Sequence, residues 1–271
     1  MACLAEVLGL MMPGSASPPA TTGARLRVGV ETGRQAVALA GQGRSVRDIL
    51  TRPAFENALR VLAALSGSTN AVVHLLALAG RAGVALTLDD FDRIARQVPL
   101  LVDCKPAGRG YMEDFHRAGG VPALLKAMDS QLDLTTVGVT GQRLADLLDA
   151  TDAPGAWQTT IRSLDEPLGP AASLVVLKGS LAPDGAVLKR AAASPHLHNH
   201  RGRAFVFEGP EDVAARIDDP ALGIEPDDVL VLRGVGPVAM GMPEAGSMPL
   251  PKYLAERGVK DMVRISDGRM S

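Results

Sequence analysis

Aromatic side chains are scarce, at 3% of 271 residues, with one Trp, two Tyr and five Phe. Such a composition excludes a binding module lined by aromatic rings, and the abundant Ala, Gly, Leu and Val favour closely packed helices and strands. Cysteine is nearly missing. Cys3 and Cys104 stand far apart in the chain, so no disulfide framework is expected and a reducing, cytoplasmic setting is. Charge of either sign is not in excess: the net value is -2, with signs interspersed. That leaves no electrostatic footprint for nucleic acid or an anionic membrane. Long apolar runs are absent too, none approaching the roughly 18 residues that read as a membrane span. The opening "MACLAEVLGLMMPG" lacks the basic region of a signal peptide and carries Glu6, so it is predicted as an amphipathic or buried helix.

Hydrophobic residues make up 46% of the chain, enough for one large or two ordinary domains. The first half is helical in pattern. "ARLRVGVETGRQAVALAGQG" has apolar residues at helical spacing and closes on glycine. Pro53 sits where a first turn tolerates it, ahead of "AFENALRVLAAL". "NAVVHLLALAGRAG" again ends in glycine, and Thr87 with Asp90 predicts a capped start for "LDDFDRIARQV". "PLLVDC" predicts a short buried strand. The stretch 151–170, polar and proline-rich, is expected to be a linker between parts 1–150 and 171–271. Beyond it come "SLVVLKGSL", "GAVLKRA", "RAFVFEG", "DDVLVLRG" and "DMVRIS", with the helix "PEDVAARIDD" among them. Five short strands at this spacing suggest a small barrel or sandwich with helical insertions.

Four stretches carry candidate chemistry. In "HLHNH", His196, His198 and His200 would share one face of an extended segment, as a metal site needs. No fourth ligand is evident, and a polar loop is the plainer reading. In "DCKP", Lys105 beside Cys104 favours a thiolate, whereas the apolar run that Cys104 ends favours a buried structural thiol; Cys3 is read as core. "SGSTNAVVHL" sets Gly67, Ser68, Thr69 and Asn70 directly before a helix, as a simple N-cap or as an anion site. "RGVGPVAMGMPEAG" follows a strand but lacks nucleotide-loop spacing. Its Glu244, on a turn of small residues, is a candidate for a hard metal ion, though most such carboxylates are simply solvated.

Together these stretches resemble one family, the dihydroxy-acid and sugar-acid dehydratases, which include phosphogluconate dehydratase. The matching pieces run the whole length in order, the most specific being "SGSTNAVVHLLA", "GMPE" and "SDGRMS". The resemblance implies an α/β fold: an incomplete helix-rich N-terminal domain, then an incomplete swivelling β-barrel-like C-terminal domain. It implies an internal fragment, because relatives continue past both ends. It also implies loss of water from a 2,3-dihydroxy carboxylate to give a 2-keto acid. An iron-sulfur cluster (2Fe-2S or 4Fe-4S) would act on the C3 hydroxyl and Mg2+ on the carboxylate and C2 oxygen. Glu244 matches the family's remaining magnesium ligand and Ser271 the serine thought to act as base. The cluster cysteines are expected in the missing N-terminal part, so neither Cys3 nor Cys104 is assigned to it, and the fragment alone is expected to be inactive. Arg264 and Ser266 depart from the small and threonine residues of many relatives. The implied substrate is a small hydroxy acid, either a sugar acid or a branched-chain dihydroxy acid, and the implied assembly a homo-dimer or tetramer. A non-catalytic binding or regulatory descendant of the same fold is the alternative.

Overall fold

The computed structural model describes residues 1–236 and 248–270. Contacts divide the chain into two compact units, Met1–Ala191 and Ala192–Ser271. Among the described residues no helix is long and apolar enough to cross a membrane.

The first unit is helical. Its elements are α1 (Ala2–Val7), α2 (Gly23–Gln42), α3 (Val46–Ile49), α4 (Arg52–Leu65), α5 (Asn70–Ala82), α6 (Leu88–Ala95), α7 (Met112–Arg117), α8 (Gly120–Ala127) and α9 (Leu144–Asp149). The core is built on α4, where Phe55, Ala58, Leu59 and Leu62 are buried, and small alanines let α1 and α6 pack close. Helix α4 ends on Ser66, whose φ of 44° turns the chain away; α5 ends on Gly83 at φ 75°. The predicted cap of α6 is present: Thr87 accepts from the Asp90 N–H, and Asp90 accepts from the Thr87 N–H at 3.1 Å. Asp90 also takes Arg52 of α4 at 2.6 Å, and that guanidinium holds its carboxyl far below the usual range.

"PLLVDC" is buried and extended, as predicted, but pairs through isolated bridges. Leu100 opposes Gly169 and Val102 opposes Ile161, while the Leu101 and Val102 N–H groups donate to Ala64 O. The proline-rich stretch thus lies along this buried segment over part of its length. Then β1 (Val175–Leu177) and β2 (Ala186–Leu188) form an antiparallel pair. Leu174 and Val176 join the core of the first unit, and the Val176 N–H donates to Asp92 of α6 at 2.9 Å.

In the second unit, β3 (Ala204–Glu208), β4 (Val229–Arg233) and β5 (Arg264–Ser266) form a parallel sheet in that order. Helix α10 (Pro210–Arg216) lies between β3 and β4, and the short helix Lys252–Glu256 precedes β5. Phe207, Leu230 and Leu232 are fully buried and form a core with Ile224, Leu254 and Met262. All five predicted strands are present. They fall into two open sheets, because β1–β2 completes the first core while β3–β5 enclose their own. The result is an α/β chain in which the described sheets remain open.

Candidate functional site

Parallel strands point the same way, so the loops that leave their C-terminal ends gather along one edge. At that edge, β4 runs out through Arg233 into Gly234, at φ 79°, and β5 runs out through Ser266 into Asp267. Asp267 stitches the two departures together. Its carboxylate accepts from the Gly234 N–H at 2.9 Å and from the Val235 N–H at 3.0 Å. The Gly268 N–H donates to Ser266 Oγ at 2.9 Å and tightens the turn. A Cβ on Gly268 would stand 2.7 Å from Val235 O, so only glycine permits this approach.

The "RGVG" loop leads toward Glu244 and the "SDGR" turn toward Ser271. Both of these predicted site residues lie outside the described residues. What the structure supplies is the junction from which their segments depart. Sequence reasoning took "SDGRMS" for its Ser271 and missed Asp267; an acid directly after a strand end was the available signal.

The other candidates resolve differently. His196 and His198 are exposed, in a stretch folded through a short 3-10 turn at Pro195–Leu197, while His200 Nε2 meets Asp227 O at 2.9 Å. The alternation that would put three rings on one face therefore does not apply. At "SGSTN", the Ser68 hydroxyl accepts from the Asn70 N–H at 3.2 Å, and the Ala71 and Val72 N–H groups donate to Ser68 O and Thr69 O. The turn caps itself, so those first N–H groups are already engaged. Ser66 Oγ and Asn70 Oδ1 are buried here without a hydrogen-bond partner.

Cys104 is buried at the end of its extended segment and its thiol donates to Tyr111 O at 3.4 Å. Burial, with Asp114 and Asp103 nearby, pushes the thiol up to about 11. Burial also raises Cys3. Both cysteines are buried, as read from the sequence. Among the described residues no group of three His, Cys, Asp or Glu is placed to hold a metal ion.

One acid in the apolar opening has a structural partner that the sequence did not show. Glu6 of α1 is 7% exposed, and its two oxygens accept from the Gly14 and Ala16 N–H groups, each at 2.7 Å. It fixes the "PGSAS" loop against α1. Desolvation outweighs these bonds and pushes the carboxyl up to about 7.

Comparison with known proteins adds the lineage. Residues 1–147 match the family described as dihydroxy-acid/6-phosphogluconate dehydratase N-terminal, and residues 159–271 match its C-terminal counterpart. The chain is 48% identical over 274 residues to an L-arabonate dehydratase of Azospirillum brasilense, covering 100% of this chain and 47% of that protein. It is 45% identical over 275 residues to a 6-deoxy-6-sulfo-D-gluconate dehydratase of Pseudomonas putida, again 100% and 47%. A dihydroxy-acid dehydratase of Methanoregula boonei is 42% identical over 272 residues, 100% of this chain and 48% of that protein. The chain spans about half the length of these curated relatives. With both domain families matched in order along it, the chain belongs to the dihydroxy-acid/6-phosphogluconate dehydratase family.

Proposed function

We propose that the complete protein is a carbon-oxygen hydro-lyase that removes water from a 2,3-dihydroxy carboxylate, with a sugar acid as substrate. The observation that carries this reading is the match along the whole chain to relatives named for sugar-acid dehydration at 45% and 48% identity, against 42% for the dihydroxy-acid enzyme. In the reaction a proton leaves C2 and hydroxide leaves C3. The C2–H electron pair becomes the C2=C3 double bond of an enol, which tautomerises to the 2-keto acid.

Ser271 is assigned the proton at C2 and Glu244 the carboxylate for a divalent cation. The Asp267 stitch supports this pairing, because it holds together the two loop departures that lead to these residues. A serine hydroxyl is a feeble base unless positive charge nearby favours its alkoxide. An iron-sulfur cluster and Mg2+ belong to this reading as the family's groups, with ligands supplied from outside the described residues.

The test uses the complete polypeptide, purified without oxygen and offered L-arabonate or a branched-chain 2,3-dihydroxy acid, with 2-keto acid measured as its semicarbazone. The expected result is a kcat/KM for the sugar acid at least about 10-fold higher, the low end of what one missing group in a pocket discriminates. The reverse preference assigns the branched-chain reaction. No turnover with iron, sulfide and magnesium bound supports the non-catalytic descendant. Ser271→Ala is expected to lower kcat by about 10²- to 10⁴-fold with metal content unchanged.

A further inference from the structure

Among the described residues five buried polar atoms lack a hydrogen-bond partner, and three of them belong to Ser66, Asn70 and Arg162. A buried polar atom left unpaired is costly, so a cluster of them calls for an explanation. Ser66 and Asn70 bracket the turn that joins α4 to α5, and they are 2% and 5% exposed. Backbone bonds bring Arg162 to the same helix end. The Leu101 N–H donates to Ala64 O, and Leu101 O accepts from the Arg162 N–H at 2.8 Å. A second cation arrives by another route. Ser173 Oγ donates to Ala63 O at 2.7 Å, and Ser173 O accepts from the Ala191 N–H, two residues beyond Lys189. Arg162 and Lys189 are both half-buried, and neither side chain forms an ion pair or hydrogen bond among the described residues. Burial alone shifts Lys189, and downward, with no acid opposing it. Ser66 at φ 44° and Ala172 at φ 65°, the two left-handed residues other than glycine among those described, flank the same place.

We infer that the junction of α4 and α5 in the first unit is a binding site for a small protonated oxyanion, inorganic hydrogen phosphate. The inference is independent of the dehydratase reading. The N–H groups of the turn already have partners, so side chains define the ligand. Two cations without acids call for negative charge, and the start of the 13-residue α5 favours it. The Ser66 hydroxyl can donate to a ligand oxygen. Asn70 Oδ1 can only accept, so the ligand must also carry a proton. Inorganic phosphate near neutral pH has acceptor oxygens and an O–H; sulfate, of the same shape, has acceptor oxygens alone. The junction therefore discriminates between the two ions by one hydrogen bond. A water molecule would satisfy Ser66 and Asn70 but leave both cations unanswered.

The experiment titrates the complete protein with inorganic phosphate and with sulfate in a calorimeter. Phosphate is expected to bind at least about 10-fold more tightly, because sulfate leaves a buried acceptor unpaired. Asn70→Ala removes that acceptor and should bring the two ions to within about threefold of each other. Arg162→Gln should weaken phosphate by about 10- to 100-fold, and Lys189→Met by a smaller factor. Arg47→Gln, at an exposed cation of the same unit, should change nothing. Sulfate bound as tightly as phosphate overturns the inference. So does phosphate binding that is indifferent to both Arg162→Gln and Lys189→Met. Absence of phosphate binding overturns it too, and a lowered Tm in Arg162→Gln would then assign the cation to an acid elsewhere in the same polypeptide.

Discussion

Replacing Asp267 with Ala tests whether the C-terminal edge of the parallel sheet is held by one carboxylate. The side chain accepts two backbone N–H groups, from Gly234 and Val235, at 2.9 and 3.0 Å. Hydrogen bonds to a charged acceptor contribute about 1.5–3 kcal/mol each. Asp267 is solvent-exposed, so the lower end applies, and water takes over part of the bonding once the carboxylate is gone. The net local loss is then about 2 kcal/mol, which corresponds to roughly 30-fold at 1.4 kcal/mol per decade. Hydrogen exchange reads this directly: protection of the Gly234 and Val235 amides should fall by about that factor, while the Leu230 amide in β4 stays protected. Asp267→Asn keeps one acceptor oxygen and should lose about half the effect in free energy. On the proposed function, displacing the two loops by about 1 Å in the complete protein should cost on the order of 10²-fold in kcat/KM. If Asp267→Ala leaves both amides within threefold of wild type, the loops are held by something else and the reasoning fails.

Three further outcomes are expected. Asn57 is fully buried and its amide both donates to Asp133 O and accepts from the Asp133 N–H, each at 2.9 Å, so Asn57→Ala should destabilise by about 2–4 kcal/mol in denaturant melts. Glu6 holds its proton up to about pH 7 when folded, against 4.5 for an exposed carboxyl. Between those values the folded state binds a proton that the unfolded state has released, so stability should fall as pH rises through that window, by about 3 kcal/mol in total. Glu6→Gln should flatten that slope in Tm measured against pH. Both thiols are buried and raised, so a thiol-specific chromogenic reagent should leave Cys3 and Cys104 untouched in the native protein and label both in denaturant; rapid native labelling of either would contradict the packing.

Much of the local structure was legible because it rests on short-range chemistry. Thr87 and Asp90 are three residues apart and cap one another; Gly83 and Gly43 stop helices because their φ angles of 75° and 64° suit glycine. The strands after residue 171 were visible as apolar runs between turns. What was hidden depends on partners distant in sequence. The pattern of α2 predicted a helix with an apolar face, and nothing local revealed that this face turns outward. Asn57 looked like one polar residue in a helical run, until Asp133 supplied its partner 76 residues away. The pairing of Leu100 with Gly169 drew the proline-rich stretch alongside a buried segment. Ser271 was singled out through resemblance alone and Glu244 from its turn as well as from resemblance, and both lie outside the described residues; Asp267, which ties the start of their loops together, needed three-dimensional neighbours to be noticed.

The order of strands in the second unit has a consequence for how it assembles. Strands β3 and β4, with α10 between them, form one contiguous stretch of chain and share five registered pairs. Strand β5 comes later, contributes three, and brings Asp267 with it. Local contacts form ahead of distant ones, because closing a long loop is entropically costly before any contact rewards it. The Phe207–Leu232 core should therefore belong to the folding nucleus, and β5 should dock onto it afterwards. Truncating Leu232 should slow folding, while Ile265→Val should chiefly speed unfolding. If Ile265→Val slows folding instead, β5 belongs to the nucleus. On this order the edge that leads to Glu244 and Ser271 is the last part to be organised, and a chain caught one step earlier would already have a packed core beneath it.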